Sequence, residues 1–159
     1  MSNSIEIHGL DELHAAFKRA NEAVTSEGKR YLREWSIYGV KQVQLHTLNA
    51  GAVDTNELIQ GIHYDIRPTA SGLESTIKPS TQADKYAVYV EHGTKPHTPP
   101  ASALQGWADR HGIPVWAVIR KIQREGTEAR HMWRDGFIDL ENKVDSELHE
   151  LAEAIVRKI

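Results

Sequence analysis

The chain has 159 residues, 40% of them apolar and 26% charged, with both signs mixed and a net charge of −3. That composition suits one globular domain that can bury a core without disulfide or metal. Zero cysteines exclude disulfide scaffolds, thiolate zinc sites, iron–sulfur clusters and cysteine nucleophiles, and the charge is far from the basic balance of a dedicated nucleic-acid binder.

The chain opens with a short alternating segment, Ser4-Ile5-Glu6-Ile7, ended by Gly9. Asp11 then caps a predicted helix with Leu10, Leu13, Phe17, Ala20 and Val24 on one stripe. Gly28 is a weak point, and the pattern resumes through Tyr31, Leu32, Trp35, Gly39, Val43 and Leu48 until Asn49-Ala50-Gly51 stops it. This reads as one long helix or two in series.

The period then changes to two. Ile62, Tyr64 and Ile66 alternate with polar residues, as do Leu73, Ser75 and Ile77, and Tyr86, Val88 and Val90 alternate with Ala87, Tyr89 and Glu91. The spacing predicts an antiparallel three-stranded meander with turns at Pro68–Gly72 and Pro79–Asp84, and Ile5–Ile7 is a candidate fourth strand. A proline-rich loop, Gly93–Pro100, follows. Thr98 is placed to cap a short helix ending near His111-Gly112. Pro114 opens another, with Val115, Val118, Ile119 and Ile122 on one side and Gly126 as its stop. A last helix carries Trp133, Phe137, Leu140, Val144, Leu148, Leu151 and Ile155 at helical spacing, which predicts Leu140, Leu148 and Leu151 as core. The expected fold is α+β: one domain over 1–159, a three- to four-stranded antiparallel sheet on long terminal helices, and a helical insertion at about 99–126.

Chemistry is sparse in this pattern. His92, His97, His111 and His131 lack the spacing of a zinc motif, and no serine elbow, P-loop or dinucleotide fingerprint occurs. No catalytic, cofactor or metal residue is assigned, and no enzyme is expected. No apolar run approaches the ~20 residues of a membrane span, and Met1–Leu10 does not look like a signal peptide; no membrane partner is expected. Within Arg110–Arg134, six Lys or Arg (Arg110, Arg120, Lys121, Arg124, Arg130, Arg134) face two acids, Glu125 and Glu128. This local +4 leaves −7 elsewhere. It reads first as the wet face of a helix, and second as a phosphate-binding patch.

Three segments in order carry a resemblance. Val53-Asp54-Thr55-Asn56-Glu57-Leu58 is similar to a Val-Asp-Thr-Gly-x-Leu linker. Tyr86-Ala87-Val88-Tyr89-Val90-Glu91-His92-Gly93-Thr94 is similar to a Tyr-Ala-x-Tyr-Val-Glu-x-Gly-Thr signature. Ile122 through Gly126-Thr127-Glu128-Ala129-Arg130 is similar to a segment preceding a final helix. Together they resemble the tail-component family of long-tailed bacteriophages, the tail-completion or head–tail joining (neck) proteins. Asn56 stands where the family has glycine, and asparagine tolerates a left-handed turn. His131-Met132 replaces a usual Pro-Phe, and Gly93 is kept, as a tight exit with positive φ requires.

The resemblance implies a structural virion protein at the neck or tail end, made in the host cytoplasm and assembled as a ring, expected to be a hexamer. Its implied partners are copies of itself, tail-tube and head-connector proteins, and packaged DNA in the channel. Tyr89, Glu91, Gly93, Thr94, Lys95 and His97 are the expected assembly contacts, at one end of the sheet and in the Gly93–Pro100 loop, which either orders against a neighbour or is a plain connection between strand and helix. Arg120, Lys121, Arg124 and Arg130 are the expected DNA-facing residues. The alternative from another class is a small regulatory or nucleic-acid-binding module using 110–134, and a metal-dependent hydrolase ranks third.

Overall fold

In a computed structural model of the chain, residues 10–51, 54 and 56–159 are described. The candidate strand Ile5–Ile7 and part of the Val53–Leu58 segment lie outside them. Helix α1 runs unbroken over Leu10–Asn49, 40 residues and therefore ~60 Å long. Gly28, worth about 1 kcal/mol against alanine in a helix, does not split it. Arg30 clamps the turns on either side by bonding Glu27 at 2.8 Å and Glu34 at 3.0 Å. Gly51, at φ 62°, ends the run.

Helix α6, Met132–Val156, packs antiparallel along α1. The rungs are specific. Thr47 donates to the Val43 carbonyl and lies 3.1 Å from the Met132 sulfur. His46 Nε2 sits 2.8 Å from Asp139, and Trp35 Nε1 donates to Glu147 at 2.8 Å. Lys158 reaches Glu27 at the far end. Two glycines set the separation: a Cβ on Gly136 would lie 2.9 Å from the Val43 backbone nitrogen, and one on Gly39 would lie 2.9 Å from Leu140. The ion pair with Lys143 and the Trp35 hydrogen bond hold the Glu147 carboxyl below its ordinary range, and Lys158 and Arg30 do the same for Glu27. Leu140 and Leu151 are half-buried, but Leu148 is 49% exposed, against expectation. The seam passes through Glu147, and the next residue is rotated 100° out of it.

A short helix α2, Glu57–Gly61, starts from Asn56 at φ 62°, the left-handed turn expected there. Strands β1, His63–Thr69, and β2, Gly72–Lys78, form an antiparallel hairpin in the register His63↔Lys78 to Thr69↔Gly72. An isolated hairpin is marginal in water. This one leans on α1, where Ser75 and Ser36 hydroxyls meet at 2.6 Å. Its wet face carries the Asp65–Lys78 and Arg67–Glu74 ion pairs.

The sheet has two strands among the described residues, not three or four. The third expected strand is helix α3, Thr81–His92. Ser80 caps it by accepting from the Ala83 amide, and Asp84 lies in its first turn, where a carboxylate complements the helix dipole. Ala83, Ala87 and Glu91, four apart, form the buried line, with Tyr86 and Val90 beside it. Val88, which an alternating strand would bury with Tyr86 and Val90, is 57% exposed. The core joining α3 to α6 is Leu58, Ala83, Ala87 and Met132, with Trp133 packed on it.

Helices α4, Ala101–Arg110, and α5, Val115–Glu125, make the helical insertion as a hairpin. Pro100 rather than Thr98 is the N-cap of α4. Pro114 and Gly126, the latter at φ 74°, bound α5 as expected. None of the helices described is long and apolar enough to cross a membrane.

Candidate functional site

The second and third resemblance segments meet in space. Where α3 ends, Gly93 turns the chain at φ 66°, and Thr94 pairs with Thr127 in a two-way bridge, each amide donating to the other's carbonyl at 3.1 Å. The threonine hydroxyls also meet at 3.1 Å. The bridge therefore sets one Gly-Thr dipeptide, Gly93-Thr94, against another, Gly126-Thr127. Both glycines are sterically required. A Cβ on Gly93 would fall 2.8 Å from the Ala129 nitrogen, and one on Gly126 would collide with the Thr94 carbonyl oxygen and lie 2.9 Å from the Lys95 carbonyl carbon.

Glu91 completes the junction from inside. It is 7% exposed, and its two carboxylate oxygens accept from the Trp133 amide at 2.8 Å and the Arg134 amide at 3.0 Å. These are free N–H groups at the start of α6, where His131 occupies the N-cap at φ 51° without a side-chain bond. The backbone adds Arg130 N–H to the Val90 carbonyl at 2.9 Å and His131 N–H to the Glu91 carbonyl at 3.2 Å. A carboxylate buried at a helix N-terminus is stabilised by the dipole and by these donors. Glu91 is thus a cap supplied by a different helix, and not a group that reaches outward to another subunit.

The other expected contacts divide. Tyr89 is 60% exposed, on the outer face of α3. Gly93 and Thr94 are consumed by the bridge. Lys95 and His97 are exposed, with His97 Nδ1 2.9 Å from the Lys95 carbonyl and the His97 amide 3.4 Å from the Ile122 carbonyl. Pro99 is buried. The 93–100 loop bonds residues 122–127 of its own chain through Thr94, His97 and Thr98, while Lys95–Thr98 stay exposed. A shallow groove of about 370 Å³ lies beside the junction, with Ile77, Asp84, Ala87, Val88, His92 and Trp133 in its lining.

The basic run is partly neutralised by neighbours. Arg110 forks onto Asp54, which lowers that carboxyl's pKa, and Arg134 bonds Asp135 at 2.8 Å. Arg124 pairs with Glu125 at 2.5 Å, and Arg130 lies 3.9 Å from Glu128. Arg120 lies over the Trp116 ring at 5.3 Å. Arg120 and Lys121 have no ion pair among the described residues. His92, His97, His111 and His131 join no metal site: no group of three or more metal-ligating side chains forms among the described residues.

Sequence reasoning missed the cap role of Glu91 and the pairing of Gly126 with Gly93. The repeated Gly-Thr dipeptide was the available signal. No protein-family model matches the chain, and no curated protein or solved structure matches it.

Proposed function

We propose that the protein is a structural component of a phage virion, acting at the neck or tail end as a homo-oligomeric ring that completes the tail for joining to the head. One observation carries this reading. Residues that resemble the tail-completion signature gather in a single junction, where Val90 and Thr94 bond Arg130 and Thr127 of the Gly126–Arg130 segment and Glu91 caps the start of α6, so that α3, α5 and α6 are fixed relative to one another. Such motif residues build a rigid scaffold rather than a reactive centre. A rigid scaffold suits a subunit that must present the same faces to each neighbour, and a heterologous contact that closes on itself makes a ring. The head connector and the tail tube are then the flanking partners.

The test is genetic. Deleting the coding sequence from the phage or prophage that carries it should leave filled heads and unjoined tails in induced lysates viewed by electron microscopy. Intact infectious particles at normal titre would overturn the reading.

A further inference from the structure

Two exposed helix faces of opposite charge have no helix packed on them among the described residues, Arg124 pairing only with its chain neighbour Glu125. Helix α5 carries Trp116, Arg120 and Arg124 four residues apart, so they lie along one side, opposite Val118 and Ile122. Trp116 is 60% exposed. No acid occurs between Asp109 and Glu125. Helix α6 carries a net −5, from seven Asp or Glu against Arg134 and Lys143. Its side turned away from α1 is the line Ile138, Glu141, Asp145, Leu148, Ala152 and Val156, all exposed, in steps of three and four. Glu141 and Asp145 have no cationic partner among the described residues. Near the end of that line, His149, Ala152, Glu153, Val156 and Arg157 border a depression of about 340 Å³.

We infer that the α5 face of one copy docks on the outer α6 face of a second copy. The inference rests on the ring reading above and names its subunit contact. Arg120 and Arg124 have the same spacing as Glu141 and Asp145. With the helices antiparallel, Arg120 meets Asp145, Arg124 meets Glu141, and Trp116 falls over Leu148 and the depression beyond it. Tryptophan and arginine in a partly apolar setting are the residue types that dominate interface energetics. Opposite charges fix the register and exclude face-to-like-face pairing. Different patches meet, so the contact is head-to-tail and propagates around a ring.

The experiment uses the purified chain and sedimentation velocity over the micromolar to sub-millimolar range. Wild type should self-associate, more weakly as salt rises. Arg120→Glu with Arg124→Glu, and separately Glu141→Lys with Asp145→Lys, should each weaken association at least tenfold. Trp116→Ala should do the same. Mixing the two charge-reversed chains should restore association in alternating order, which also shows both are folded. A chain carrying all four reversals should associate by itself. A wild type that stays monomeric throughout overturns the inference, as do charge reversals without effect or a mixture that fails to recover. So does retention of a duplex oligonucleotide by wild type that is lost on α5 reversal while self-association is unchanged. None of these results depends on particle assembly, and normal virions from the deletion phage would remove the neck reading without touching the contact.

Discussion

The α1–α6 pair and the junction below it hold the chain by different means. Along the pair, side chains do the work: Trp35 and His46 each find one partner on the opposite helix, Glu27 finds Lys158 just past its end, and Gly39 and Gly136 let the helices close. Each rung is one of several, so losing one leaves the rest. At the junction, backbone bonds and one carboxylate fix the start of α6 and the exit of α3. Few residues serve there, and none has a substitute. Tolerance to substitution should therefore be high at the side-chain rungs of the pair, its two close-approach glycines apart, and low at the junction.

The sharpest way to break that contrast is Gly126→Ala. Its Cβ would strike the Thr94 carbonyl at a backbone φ of 74°, combining strain with overpacking, at a cost of about 4 kcal/mol. Urea denaturation should show a folded population largely lost, and a midpoint near wild type would mean that the bridge yields easily. Next comes Glu91→Ala, which leaves two α6 amides without their acceptor and should cost about 2 kcal/mol. Glu91→Gln, keeping one acceptor oxygen, should recover part of this in the same titration. The smallest effect belongs to the side of α6 turned away from α1. Leu148→Ala should stay within about 0.5 kcal/mol of wild type, because the side chain lies off the seam, whereas Leu140→Ala should cost visibly more. Equal losses at both positions would show that Leu148 is covered in the isolated protein.

The same contrast explains how much of the molecule could be read from the chain. Helices α1, α5 and α6 were legible because a long apolar stripe has one period, and β1 and β2 because turn residues bracket them. Helix α3 was not. Tyr86, Val88 and Val90 satisfy period two by coincidence, while the information that decided the matter lay upstream in Ser80 and Asp84, a cap and a dipole partner. Leu148 shows the other limit, since a stripe states which residues are apolar, not which edge of it a partner covers. The positive φ of Asn56 and Gly93 followed from the resemblance together with the residue types that tolerate a left-handed turn. The role of Glu91 did not, because its partners are amides 42 and 43 residues away, and no local pattern announces a cap donated by another helix.

Helix α1 outruns its partner. The last rung is Lys158 against Glu27, and Ala23 is the first buried residue of the helix among the described residues, so Leu10–Glu22 extends ~20 Å past the end of α6. Thirteen residues of helix in water are marginal by themselves, and they persist here because the supported turns have already met the cost of nucleation. Order therefore runs one way, outward from Ala23, and local opening free energy should decline turn by turn towards Leu10. Phe17 and Leu13 ride on that gradient, their apolar surface offered from a segment that stiffens only as far as something holds it.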